Sequence, residues 1–144
     1  MLTQAEADML IATVKEFVAP NPIFLRPGLD ESLDLQSRDK REKFILDLWR
    51  GTLRLSKAKY QNRGRKAIVL VRLDFGGSGP HTNPDGAVIG PDHIHIYKEE
   101  YEDRWAYPVD PKEFRNLKDF GNALADFCSY CHIINVPPIQ AGLL

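Results

Sequence analysis

Lys43-Phe44-Ile45-Leu46-Asp47-Leu48-Trp49 sets the fold class of this chain. Read with a period of two, Phe44, Leu46 and Leu48 point to one side. Lys43, Ile45, Asp47 and Trp49 point to the other, the pattern of a strand with one face on a core. Upstream, Leu33 and Leu35 alternate in the same way, and the charged stretch 37–41 reads as the turn between the two. Downstream, Gly51 interrupts, and Leu53 and Leu55 then alternate with Arg54 and Ser56. The three segments predict an antiparallel meander. Residues 67–73 are rich in β-branched side chains and almost continuously apolar, as expected of a central strand. Shorter strands are expected at 93–98 and 105–109.

Helices are expected at both ends. Thr3 followed by Glu6 has capping-box spacing, and Leu10, Val14, Phe17 and Val18 continue at helical spacing, which predicts a helix to about Val18. Pro20, Pro22, Pro27 and Gly28 end it. Asp110 before Pro111 suits a second helix start, and Leu117, Phe120, Leu124, Phe127 and Cys131 supply its apolar stripe. The order helix, sheet, helix predicts one α+β domain over residues 1–144. Its sheet is expected to be antiparallel and strongly twisted, with about five to six strands, flanked by an N-terminal and a C-terminal helix.

The 144 residues, 43% hydrophobic and 27% charged, suffice for one core. No segment has the roughly 18 to 20 apolar residues of a membrane span, and the amphipathic start does not resemble a signal peptide. Cys128 and Cys131 lie together in the closing helix, where packing explains them better than a disulfide framework, and a reducing cytoplasm is the expected compartment. The formal net charge of −1 hides an asymmetry. Residues 54–72 hold seven Lys or Arg and no Asp or Glu, so an anionic partner such as phosphate is expected there. The alternative is a basic strand edge paired with carboxylates elsewhere.

The sharpest local signal is His93-Ile94-His95-Ile96-Tyr97. Alternation gives Ile94 and Ile96 to the core and places His93, His95 and Tyr97 together on the opposite face. His81 lies in the Gly/Pro-punctuated loop upstream, within reach of that strand. Lys57, Lys59, Tyr60, Arg63 and Arg65 form a basic hairpin in which cations would hold phosphate while Tyr60 stacks on a base or sugar. These parts suit metal-independent RNA cleavage: one histidine takes the 2′-hydroxyl proton, a second acid protonates the leaving oxygen, and Arg or Lys stabilises the phosphorane. His81, His93, His95 and Tyr97 are the acid–base candidates, with RNA as the partner and no cofactor.

Two alternatives stand beside that one. His93 and His95 form half of a metal site, which His81 or Asp92 could complete. Glu99 extends the pattern to the first part of a cupin motif, but His132, the remaining histidine, lies beyond the closing helix. The other alternative is a non-enzymatic antitoxin, phage-defence or adaptor module. The chain carries no phosphate-binding G-x-x-x-x-G-K-[ST] loop, dinucleotide fingerprint, G-x-S-x-G or H-E-x-x-H.

Lys59-Tyr60-Gln61-Asn62-Arg63, the loop His81 to Gly86, the run Pro91 to Tyr97 and Trp105-Ala106-Tyr107 together resemble a family of small bacterial and prophage proteins known only as a domain of unknown function. The resemblance spans nearly the whole chain and implies a Pro-x-His-x-His-x-Tyr pattern at residues 91–97. It also implies a setting in mobile or defence-associated gene neighbourhoods, hence a toxin or antiphage role with a cognate antitoxin as partner. It assigns no residue a catalytic role.

Overall fold

The computed structural model describes residues 1–77 and 79–141. Thr3 caps helix α1 (Gln4–Ala12) through the reciprocal bonds of a capping box with Glu6. The helix stops at Ala12, short of Val18, because Thr13 is extended and the next residues form strand β1 (Lys15–Phe17). Strand β2 (Ile23–Phe24) follows, then β3 (Asp30–Ser37), β4 (Lys43–Arg50), β5 (Ala58–Gly64) and β6 (Ile68–Phe75). Two short strands, β7 (His81–Thr82) and β8 (Val88–Ile89), form a hairpin within the long loop. Strands β9 (His93–Ile96) and β10 (Ala106–Pro108) precede helix α2 (Phe120–Tyr130), and β11 (Ile139–Gln140) pairs in parallel with β2.

The main sheet has seven antiparallel strands in the order β1-β3-β4-β5-β6-β9-β10. Both helices pack on one face. Leu35, Phe44, Leu46, Leu48, Leu73, Phe75 and Ile94 point into that core together with Leu10, Leu124 and Phe127. The additional strand arises at the N-terminus, where Lys15 replaces the expected helical turn. Its side chain is fully buried, yet its ammonium donates to the carbonyls of Ile11, Thr13 and Cys131 at 3.0, 2.9 and 2.7 Å. The cation thus closes the end of α1 and ties it to the end of α2. Lys15→Met is expected to leave the Thr13 and Cys131 carbonyls without that donor, while Ile11 O keeps His132 Nδ1 at 3.2 Å, and to lower stability by about 2–3 kcal/mol, read as a lower urea midpoint at unchanged slope.

Two further boundaries differ from expectation. Residues 51–57 form a tight turn instead of a strand: Gly51 N–H donates to Lys57 O, and a side chain at Gly51 would sit 2.4 Å from the Arg54 carbonyl oxygen. The expected basic hairpin is the interior strand β5. The closing helix begins at Phe120, capped by Asp119, whose carboxylate accepts from Asn122 N–H, and residues near Pro111 form turns.

Candidate active site: a histidine cluster on the open face of the sheet

The sheet's second face carries polar rows fixed by strand register. One row runs Trp49, Lys59, Asp74, His93, and another runs Asp47, Gln61, Arg72, His95. His93 and His95 point to this face as alternation requires, but they are almost fully covered, 3% and 1% exposed. The loop before β9 provides the cover. Asn83 donates to Ala106 O at 2.9 Å and accepts from Ala106 N–H at 2.8 Å, so it acts as a substitute strand partner for β10. That docking places the His81 ring over the other two. Ring centroids are 4.7 Å apart for His81 and His95, 4.9 Å for His93 and His95, and 5.7 Å for His81 and His93.

Hydrogen bonds assign the protons. His93 Nδ1 lies 2.7 Å from Gly90 O and His95 Nδ1 lies 2.8 Å from Asp103 O, so both nitrogens donate. Their Nε2 atoms face Asp74 Oδ2 at 3.4 and 3.5 Å. Arg72 Nε donates to Asp74 Oδ1 at 3.0 Å, and Nη2 lies 3.1 Å from His95 Nε2 and donates into its lone pair. His93 therefore needs a second proton to meet the carboxylate. Burial disfavours its charge, but the bond to Asp74, the Gly90 carbonyl and the carboxylate's charge outweigh that and raise its pKa. Burial likewise opposes ionisation of Asp74, and the His93 hydrogen bond and the Arg72 charge overcome it, holding its carboxyl well below the ordinary range. His81 Nε2 faces Arg104 O at 2.8 Å, so it carries the hydrogen and Nδ1 keeps a lone pair.

Donor atoms of Asp74, His93 and His95 lie within 4.8 Å of one another, a set that could hold a divalent cation. The Arg72 guanidinium already sits against two of these three side chains, so a dication would have to displace a positive charge. Asp92, weighed with His81 to complete such a site, instead accepts from Gly76 N–H at 3.1 Å.

The other expected site residues are placed differently. Tyr97 does not share the histidine face: β9 ends at Ile96, and a register shift in the β5–β6 pairing turns Leu70, to whose carbonyl Tyr97 donates, into the core. Tyr97 is 2% exposed, and its hydroxyl donates to Leu2 O and accepts from Leu2 N–H. Tyr60 is also core, fully buried and donating to Phe120 O at 2.9 Å, so it cannot stack on a nucleotide. Arg63 is held by Asp47 at 2.7 and 2.9 Å, and Arg65 lies between Glu6 and Glu42. The carboxylate pairing of the basic segment holds for these two and for Arg72. Lys57 and Lys59 stand beside Trp49, with ammonium nitrogens 5.9 and 5.7 Å from its ring centre. Arg72, Asp74 and Asn83 are the site residues that the sequence reading missed. A strand period carried through residues 71–75 marks the first two, because Arg72 and Asp74 alternate with core residues opposite the two histidines.

Burial pushes the Cys128 thiol up to about 12 and raises Cys131 further, so neither supplies a thiolate. No helix among the described residues is long and apolar enough to cross a membrane. No curated protein and no solved structure matches the chain. Residues 2–133 match one family model, so the histidine cluster, Arg72, Asp74 and both helices all fall inside the matched region. The chain is a member of the Family of unknown function (DUF6978).

Proposed function

We propose that the chain is an RNA-cleaving enzyme of toxin type, working by histidine acid–base chemistry without a metal. The observation that carries this reading is the packing of three imidazoles against one another, two of them in contact with one guanidinium–carboxylate pair. His81 Nδ1 takes the proton of a 2′-hydroxyl, and the 2′-oxygen attacks phosphorus. The bond from phosphorus to the 5′-oxygen breaks, and His93, kept protonated by Asp74, gives its Nε2 proton to the departing oxygen. The part-exposed Arg72 neutralises charge on the phosphoryl oxygens. His95 is a positioning residue: its lone pair holds Arg72. The long Nε2–Asp74 separations fit contacts that tighten only with substrate. Because the loop covers His93, the reading requires part of that cover to move aside as RNA enters, with the His81–Arg104 contact kept.

Expression of the wild-type chain is expected to arrest growth, with relief by a cognate antitoxin, and His81→Ala is expected to relieve arrest. In vitro, His81→Ala should slow cleavage of a single-stranded RNA by about 10²- to 10⁴-fold, with folding unchanged by circular dichroism. Harmless expression together with intact RNA would refute the proposal.

The donor set favours metal binding as a second reading. Zinc titration of untagged protein decides between them: one-to-one binding abolished by His93→Ala, with cleavage absent until the metal is added, would replace the metal-free mechanism.

A further inference from the structure

The geometry points to a nucleotide-binding subsite at Trp49, on the same sheet face as the histidine cluster, for a base and phosphate of single-stranded RNA. The inference rests on the proposed function and extends it from chemistry to substrate recognition. Much of the basic segment is neutralised internally: Arg63, Arg65 and Arg72 each meet a carboxylate within 4.0 Å. Among the described residues, Arg54, Lys57, Lys59 and Lys66 have no such partner; Arg54 reaches the Gly77 carbonyl at 3.2 Å, and Lys66 stands apart in the turn between β5 and β6. Three of these four, Arg54, Lys57 and Lys59, gather around one aromatic ring.

Trp49, Gly51, Thr52, Leu53, Arg54 and Lys57 line a hollow of about 290 Å³. Leu53 is 98% exposed at its rim, although an apolar side chain gains nothing there in water. Asp30 is the carboxylate nearest in register, the neighbour of Trp49 on β3. An aromatic face flanked by ammonium groups and bounded by an apolar rim suits a stacked base with its phosphate against lysine. Strand register connects this hollow to the cluster. Trp49, Lys59, Asp74 and His93 are successive neighbours, so three strand spacings, about 14 Å, separate ring from imidazole. A short extended single strand spans that distance. Trp49 thereby takes the stacking role that the buried Tyr60 cannot fill.

The test uses the full chain carrying Trp105→Phe, so that Trp49 alone fluoresces, and His81→Ala, so that RNA survives the titration. The probe is a fluorescein-labelled 12-nucleotide oligouridylate. Expected results are quenching of Trp49 and a rise in anisotropy, with Trp49→Leu weakening binding about 5- to 150-fold. Lys57→Gln with Lys59→Gln, surface changes that leave the fold intact, should reduce the slope of log affinity against log salt by about 1.4. The inference is overturned if RNA does not bind at low salt, or if both variants bind as the parent does. It is also overturned if polyglutamate of equal charge binds as tightly with the same quenching, which would make this a surface for an acidic protein. RNA binding that depends on Trp49, without cleavage by the native chain, would support the subsite and remove the nuclease reading. Cleavage by the native chain with affinity indifferent to Trp49 would do the reverse.

Discussion

Asp74→Ala is expected to lower stability by about 3–5 kcal/mol, the range for removing one partner of a buried ion pair. Asp74 is 6% exposed and receives Arg72 Nε at 3.0 Å, with His93 and His95 at 3.4 and 3.5 Å. Without it, the Arg72 guanidinium loses its buried counter-ion, and His93 loses both its Nε2 partner and the charge that raises its pKa. Arg72 keeps Asp103 at 3.4 Å, so the loss should fall toward the lower end of the range. The pH dependence carries the sharper signature. The pKa of His93 is raised on folding, so its contribution is complete below the unfolded value of about 6.5 and is lost as pH rises through the folded value. That of Asp74 is depressed, so its contribution is present above about 3.8 and is lost as pH falls through the folded value. The wild-type advantage over Asp74→Ala should therefore be larger at pH 5.5 than at pH 8.5 in urea unfolding. Asp74→Asn, which keeps the shape and removes the charge, should follow the alanine variant in pH dependence. A difference below about 1 kcal/mol that ignores pH would show that the cluster does not store charge as described.

The expected α+β class, the two flanking helices and the alternation in β3 and β4 were legible in the sequence because those strands have one wet and one dry face. The errors fall where a polar residue is buried or an apolar one exposed. Lys15 reads as a surface residue of a helix, yet carbonyls at two helix ends give its ammonium three acceptors, which allows an extra strand at the sheet edge. Leu53 and Leu55 alternate like strand residues but are 98% and 45% exposed in a turn held by Gly51. In β5, Tyr60 and Asn62 belong to the buried set and Lys59, Gln61 and Arg63 to the polar one. Charge density suggested a solvated hairpin there, while the period of two, applied without regard to charge, gives the correct faces.

The candidate site was half legible, for a related reason. The period of two placed His93 and His95 correctly on the polar face. It failed for Tyr97 because alternation ends with the strand at Ile96. Arg72 lay inside the apolar run 67–73 and Asp74 just past its end, where attention goes to the core residues beside them. The convergence of His81 depends on Asn83 docking on Ala106, a contact between residues 23 positions apart that no local pattern encodes.

Gly76→Ala is expected to cost about 3 kcal/mol or more and to disorganise the site from a distance. Gly76 has a φ of +75°, and a methyl group there would lie 1.7 Å from the Ser56 carbonyl oxygen and 2.7 Å from its carbon. Both atoms are backbone and cannot swing aside, so residues 56 and 76 must separate. That separation would break the bond from Ser56 Oγ to Gly76 O, 2.7 Å, and strain the one from Gly76 N–H to Asp92, 3.1 Å. Those contacts fix the two ends of the loop that carries His81 and the Gly90 carbonyl bonded to His93. If the proposed chemistry is right, cleavage should fall together with stability. Gly79→Ala provides the control in the same loop, since a methyl group at that position meets nothing within 4 Å. A thermal midpoint for Gly76→Ala within about 2 °C of the Gly79→Ala value would mean that the Ser56–Gly76 approach does not anchor the loop. Loss of RNA cleavage in Gly76→Ala but not in Gly79→Ala, measured well below either midpoint, would tie the anchor to the position of His81 and not to global unfolding.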